Sequence, residues 1–251
     1  MTMPEPPVVR IAMWSGPRNI STAMMRSFEN RPDTAVVDEP LYAYYLRVTG
    51  LQHPGRDDIL RSQSDDWRVV TGELTGPVPR GRRIYYQKQM THHLLPEVGR
   101  DWLAQVTNVF LIRDPAAVVA SYARVRGEPE LEDLGFPQQV EIFRRTADRL
   151  GSPPPVLDAA DVLSAPESLL TQLCVRLELP FDDRMLTWPA GSRESDGVWG
   201  PHWYGAVEAS TGFAEPRAGV PTVPDRLADL VERCQPFYDE LAPHRLRPDD
   251  S

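Results

Sequence analysis

Two short stretches carry the residue types needed to hold anionic oxygens. The first is W-S-G-P-R-N-I-S-T, Trp14 to Thr22. An apolar run, Val8–Trp14, stops at Ser-Gly-Pro-Arg, and a helix-like segment opens at Asn19, Ser21 and Thr22. A tight turn into a helix leaves backbone N–H groups free, and the helix dipole favours an anion there. Gly16, Pro17, Arg18, Asn19, Ile20, Ser21 and Thr22 are therefore candidate ligand contacts. Arg18 offers a planar fork for two oxygens, and the Ser21 and Thr22 hydroxyls donate to others. The Lys-Ser/Thr pair of an ATP- or GTP-binding loop is missing, so the pattern suits a phosphate-like group held without an obligatory metal. The ordinary alternative is an N-capped helix with a surface arginine.

The second stretch is F-L-I-R-D-P-A-A-V-V-A-S. Arg113 ends an apolar run, and Ser121 follows eight residues later, two helical turns on and near the same face. An Arg and a Ser so placed can share one phosphate. Asp114 fits a helix N-cap, which by itself would account for the turn. Taken together, the two stretches place anion sites at the ends of two adjacent parallel strands. That arrangement suits a nucleotide with two separated phosphates.

Other polar groups fall at the ends of apolar runs. Asp-Glu-Pro at 38–40 offers Glu39 as a proton acceptor and Asp38 as a local cap or a partner for Arg18. Q-K-Q-M-T-H-H offers Lys88, His92 and His93 in a chain whose basic residues are overwhelmingly arginine. The plainer readings are a helix-start carboxylate for Glu39, a strand-end surface lysine for Lys88, and capping for the histidines. Trp199, His202, Trp203 and Tyr204 crowd a Gly-rich stretch. With Tyr42, the residues Trp199, His202 and Trp203 are expected to line a small-molecule pocket, where aromatic faces pack against flat ligands. Loop packing is the ordinary reading for these late aromatics. His53, His202 and His244 lack ligand spacing, so no metal is expected. Cys174 and Cys234 lie far apart in helical patterns and read as reduced thiols of a cytoplasmic protein.

The elements that must position these groups alternate in type. Strands are expected at Val8–Trp14, Thr34–Val37, Arg82–Met90, Val106–Ile112 and Val156–Asp158. Helices are expected at Asn19–Asn30, Leu41–Val48, Pro115–Val125, Phe136–Leu150, Pro166–Leu177 and Pro224–Leu241. One weak helix is expected between the loops R-V-T-G-L-Q-H-P-G-R-D-D and L-T-G-P-V-P-R-G-R-R, and residues 180–223 read as irregular. Alternation of this kind predicts an α/β fold, a three-layer α/β/α arrangement around a parallel sheet of about five strands. Ligands of such sheets sit outside the carboxyl ends of the strands, where the polar residues above fall.

The chain of 251 residues, 41% hydrophobic and 25% charged, reads as a single domain, 1–251, closed by a helix at about 224–242. Its net charge of −9 argues against a nucleic-acid partner. No run approaches the roughly 18 apolar residues of a membrane span, and the N-terminus lacks the apolar core of a signal peptide. The oligomeric state is not legible.

The two anion motifs together resemble the sulfotransferases that use 3′-phosphoadenosine-5′-phosphosulfate (PAPS). The family's first signature, P-R-S-G-[ST]-[ST], resembles Pro17-Arg18-Asn19-Ile20-Ser21-Thr22, with Asn19 and Ile20 standing where the family has Ser-Gly. Its second, a strand followed by R-D-P and a helical Ser, matches Arg113, Asp114, Pro115 and Ser121. The family's strand ending in Lys with His soon after is similar to Lys88 followed by His92 and His93, at a longer spacing than in the cytosolic animal enzymes. The likeness covers roughly the first 180 residues and is nearer to bacterial members.

The resemblance implies a P-loop NTPase-like sulfotransferase fold and PAPS as sulfuryl donor, with 3′,5′-ADP as product and no metal. It implies 5′-phosphosulfate binding by the first loop and 3′-phosphate binding by Arg113 and Ser121, with Arg193 of a late loop as a second 3′-phosphate ligand. It also implies a hydroxyl or amine of a small molecule as acceptor. Lys88 would stabilise the leaving phosphate, and Glu39 or one of His92 and His93 would be the base. Two other readings compete. A divergent P-loop small-molecule kinase would need a loop Lys, and a non-catalytic nucleotide-binding module would not need Glu39, Lys88 or the histidine pair.

Overall fold

The computed structural model describes residues 7–216, 219 and 221–248. Five strands form one sheet: β1 Val9–Ser15, β2 Thr34–Asp38, β3 Ile84–Met90, β4 Thr107–Ile112 and β5 Val156–Asp158. All pairings are parallel, in the order β2-β3-β1-β4-β5. Between β1 and β2 runs α1, Ser21–Glu29; α2 Tyr42–Thr49, α3 Arg56–Ser62 and α4 Trp67–Thr75 precede β3. After β4 come α5 Pro115–Arg126, α6 Leu131–Leu134 and α7 Phe136–Leu150. After β5 come α8 Ala159–Ser164, α9 Pro166–Arg176, α10 Gly200–Trp203, α11 Gly205–Glu208 and α12 Ala228–Leu241.

Alternation along the strands builds the layers. Successive strand side chains point to opposite faces. Ile11 and Met13 of β1, with Val109 and Leu111 of β4, pack against Met24, Met25 and Phe28 of α1 and Leu169, Leu170 and Leu173 of α9. Their neighbours Ala12, Trp14, Phe110 and Ile112 face the other way, onto Val70 and Leu74 of α4 and Val140 and Phe143 of α7. The strands are buried on both faces, so they read as continuous apolar runs. Polar atoms reach this core too: Trp14 Nε1 donates to Asn108 Oδ1 at 2.9 Å, while the Tyr86 hydroxyl and Trp102 Nε1 are buried without a partner.

The expected strands and long helices are present, with ends shifted by a residue or two, except that the last helix begins at Ala228, four residues later than expected. The short helices α6 and α8 were not expected, and two expected regions differ. The weak helix before β3 is two helices, α3 and α4; Asp66 caps the second by accepting from the Arg68 N–H. The stretch at 180–223 is not wholly irregular, because α10 and α11 lie in it. Both are one-turn helices, too short for apolar periodicity to register.

The chain that follows β1 and the chain that follows β4 pack helices on opposite faces of the sheet: α1 belongs to one layer and α7 to the other. A crevice therefore opens between the carboxyl ends of these adjacent strands, as the switch-point rule for open α/β sheets requires.

Candidate active site

A cavity of about 840 Å³ lies along the carboxyl ends of the strands. Its wall includes Pro17 to Thr22 of the first loop, Arg113 and Ser121 beyond β4, Glu39 beyond β2, and Lys88, His92 and His93 of β3 and its turn. Tyr42 and Trp203 also line it.

The first loop crosses from β1 into α1 with no capping side chain on the helix N-terminus. The first-turn N–H groups of α1 therefore stay available beside the cavity. Asn19 does not cap the helix. Its Nδ2 donates to the Leu111 carbonyl at 3.0 Å, and its Oδ1 accepts from the Ile20 N–H at 2.8 Å, which ties the loop to β4. Arg18 takes a left-handed backbone, φ 58°, a conformation uncommon for a residue with a Cβ. Arg113 holds it there by donating to the Arg18 carbonyl, while Arg18 Nε donates to Ser121 Oγ at 3.2 Å. The two candidate stretches thus meet in one cluster. Burial, then the nearby charges of Arg124 and Arg126, lower the Arg18 pKa. Gly16 lies outside the cavity wall but is required: a Cβ there would sit 2.6 Å from the Leu134 carbonyl oxygen. Asp114 caps α5 through the Ala117 N–H at 2.9 Å.

The second cluster centres on Lys88, which is 1% exposed. Its Nζ donates to Asp38 Oδ1 at 2.8 Å, Glu39 Oε1 at 2.6 Å and the Tyr204 hydroxyl at 2.8 Å. Tyr204 in turn donates to Asp38 Oδ2 at 2.7 Å and accepts from Trp199 Nε1 at 2.9 Å. Burial alone would lower the Lys88 pKa, but Asp38 and Glu39 outweigh it and hold it above the ordinary value. Burial raises the Glu39 carboxyl; Lys88 opposes that rise and Asp38 adds to it. Glu39 also has a left-handed backbone, φ 41°. Two such residues at two loop tips of one cavity fit the tendency of backbone strain to collect at functional sites.

One expectation is corrected here. β3 lies between β1 and β2, so the end of β2 is a strand away from the first loop, and Asp38 is not a partner of Arg18. It stands opposite Lys88 in the β2–β3 register and accepts from Lys88, Tyr204 and the Gly197 N–H.

His92 and His93 form a buried aromatic wall. Tyr42 stacks on His93 with ring centroids 4.6 Å apart, and the two imidazoles lie 4.3 Å apart. Neither Nδ1 has a hydrogen-bond partner. Burial pushes the His92 pKa down to about 3 and that of His93 well below its ordinary value. Both imidazoles are therefore neutral at pH 7.

Three expected pocket residues lie elsewhere. Trp199 is 1% exposed and supports Tyr204 from behind. His202 is exposed and sits against Gly55. Arg193 donates from Nη2 to the Pro189 carbonyl at 3.1 Å, and its N–H to Asp196. Asp196 is in turn salt-bridged to Arg26 of α1, so this segment packs against α1 and not on the cavity wall. The sequence reading missed the roles of Asp38 and Tyr204, and the lining residues Tyr122, Arg124, Arg126 and Asp158. Two arginines, one and three residues past Ala123, were the available signal for the lining residues. Among the described residues, no His/Cys/Asp/Glu group could hold a metal ion, and no helix is long and apolar enough to cross a membrane. Both cysteines are free and buried.

Comparison with known proteins gives the family and the fold. A family model described as a sulfotransferase domain matches residues 9–244. Branched-chain-amino-acid aminotransferase-like protein 1 of Arabidopsis thaliana is 38% identical over 96% of this chain. The match takes in 43% of that protein, so the chain spans less than half the length of this curated relative. Two solved structures share the fold. One is the sulfotransferase domain from the curacin biosynthetic pathway, with TM-score 0.52 and 18% identity over 97% of this chain and 99% of that one. The other is a sulfotransferase from Alicyclobacillus acidocaldarius, with TM-score 0.55 and 12% identity over 95% and 96%.

Proposed function

This chain belongs to the sulfotransferase domain family, and on that premise we propose that it moves a sulfuryl group from PAPS to a hydroxyl or amine of a small molecule. The observation that carries the donor assignment is the meeting of Arg18 with Ser121, and of Arg113 with the Arg18 carbonyl, on one cavity wall. The uncapped first turn of α1 and the Ser21 and Thr22 hydroxyls suit the 5′-phosphosulfate. Arg113 and Ser121 suit the 3′-phosphate.

PAPS supplies an activated sulfuryl group. An acceptor oxygen or nitrogen bonds to sulfur as the bond from sulfur to the 5′-phosphate oxygen breaks, the acceptor proton goes to a base, and 3′,5′-ADP leaves. Glu39 is the better base. A base works best when its pKa lies near the working pH, and burial moves Glu39 up toward that range while it drives His92 to about 3. Lys88 has all three N–H groups engaged. It meets the leaving oxygen by exchanging one contact, and the Glu39 contact is the one that must loosen for Glu39 to accept a proton. Asp38 and Tyr204 hold the ammonium in place during that exchange. His92, His93 and Tyr42 shape the acceptor pocket.

Thermal-shift measurements with and without Mg²⁺ test the reading. 3′,5′-ADP is expected to raise the melting temperature more than 5′-AMP, ATP or GTP. Stabilisation by ATP alone, and only with Mg²⁺, would favour a kinase and remove the donor assignment.

A further inference from the structure

We propose that the acceptor carries an anionic group, a carboxylate or a phosphate, and that Arg126 binds it at the aromatic end of the cavity. The proposal rests on the reading that this cavity holds donor and acceptor together.

The cations on the cavity wall are Arg18, Lys88, Arg113, Arg124 and Arg126. Arg18 and Arg113 belong to the phosphate cluster, and Lys88 is matched by two carboxylates. Arg126 differs from these. Among the described residues no carboxylate lies within ion-pair distance of it. Its guanidinium carbon lies 4.9 Å from the Trp203 ring centroid and 5.8 Å from that of Tyr122. Both rings line the cavity, so the two faces hold the fork at the site while leaving its N–H edge open to an oxygen pair.

The cavity wall also carries the carboxylates of Glu39, Asp114, Asp158 and Glu215, and none of them is ion-paired with Arg126. Arg126 is one of the influences that lower the histidines of this end, after burial: His53 to about 4, His92 to about 3, and His93. All three are neutral at pH 7. Asp133 is near Tyr122 and Tyr45, but its carboxylate accepts from the Glu130 N–H and makes no ion pair with Arg126. Arg124 is exposed, and both it and Arg126 lie near enough to Arg18 to lower its pKa, Arg124 more than Arg126. The acceptor end is thus a ring-lined space with a proton acceptor, Glu39, and one oriented, uncompensated cation. In a protein of net charge −9, such a cation supplies local attraction that the rest of the surface opposes. A molecule with a hydroxyl and an anionic group satisfies both ends; a neutral acceptor uses only one.

The test follows 3′,5′-ADP release from PAPS with two matched pairs of probes. One pair is 4-hydroxyphenylacetate and 4-hydroxyphenylacetamide, and the other is sn-glycerol 3-phosphate and glycerol. The first pair reports a carboxylate and the second a phosphate. Wild type, Arg126→Gln and Arg126→Lys are compared, with 3′,5′-ADP affinity measured for each. The anionic member of at least one pair is expected to be favoured about tenfold or more in kcat/KM, the usual worth of a charge-assisted contact. That preference should collapse in Arg126→Gln and return in part in Arg126→Lys, with 3′,5′-ADP affinity unchanged. The proposal is overturned by equal use of both members of both pairs, absence of turnover included, or by a preference that survives Arg126→Gln. Loss of 3′,5′-ADP affinity in Arg126→Gln would also overturn it, by making Arg126 a donor contact. Failure of the wild type to bind 3′,5′-ADP would instead defeat the donor reading beneath it.

Discussion

Lys88 is the only lysine of the chain, and it is buried between two carboxylates and a tyrosine hydroxyl. Removing an ammonium from water is costly unless charge and hydrogen bonds compensate, and here every N–H is matched. Lysine fits where arginine would not, because a compact ammonium can trade one contact for another without moving a planar fork. In the proposed mechanism Glu39 is the partner that lets go, and it is where that mechanism can be tested. Glu39→Gln keeps the side chain's shape but cannot take the acceptor proton. Turnover, or the slow hydrolysis of PAPS by water, should fall by about 10²–10⁴ with 3′,5′-ADP affinity little changed, while His92→Asn and His93→Asn should be milder. In the wild type, the acid limb of kcat/KM should lie above the ordinary glutamate range, because the Glu39 carboxyl is raised and must be ionised to act. If Glu39→Gln keeps near-normal turnover and a histidine variant loses it, the base is the histidine.

The elements explain which parts of the site could be read in advance. Pro17-Arg18-Asn19-Ile20-Ser21-Thr22 and Arg113-Asp114-Pro115 to Ser121 were legible because each is one contiguous strand–turn–helix, whose geometry follows from local signals. Asp38 was misread because its partner depends on strand order, and the sequence does not say that β3 inserts between β1 and β2. Tyr204 was visible only as one aromatic among several, since its hydroxyl acquires partners through a contact 166 residues away in sequence. Another long-range device is the junction of α6 and α7. Gly135 has φ 69°, and a Cβ there would lie 2.3 Å from Thr91 Oγ1 and 2.9 Å from the His92 N–H nitrogen. The helix pair therefore presses on the turn that carries both histidines. Gly135→Ala should destabilise by about 1–3 kcal/mol, as a residue forced into an unfavourable backbone region against close neighbours does. Denaturant titration checks this, and an unchanged midpoint would mean that the turn yields freely.

At the scale of the whole molecule, a parallel sheet with helices on both faces collects the strand ends at one edge and turns them into a single cavity. The cost is a set of polar groups held away from water. His92 is one: its folded pKa is depressed to about 3 against about 6.5 in an unfolded chain. Its neutral form is favoured by folding, so its contribution is complete above pH 6.5 and is lost as pH falls toward 3. A linkage slope of about 1.4 kcal/mol per pH unit follows over that window. Urea titrations from pH 7 to 5 should show wild type losing stability faster than His92→Asn, and parallel losses would mean that His92 is protonated in the folded state. The account as a whole depends on two phosphate sites at adjacent strand ends, and calorimetry in EDTA reaches that most directly. Wild type is expected to bind 3′,5′-ADP more tightly than 5′-AMP. Arg113→Ala should shrink that gap by roughly tenfold or more, the equivalent of about 1.5–3 kcal/mol for a charge-assisted contact, while any loss through the freed Arg18 carbonyl falls on both ligands alike. Equal affinity of the wild type for the two nucleotides, or equal losses for both in Arg113→Ala, would contradict it.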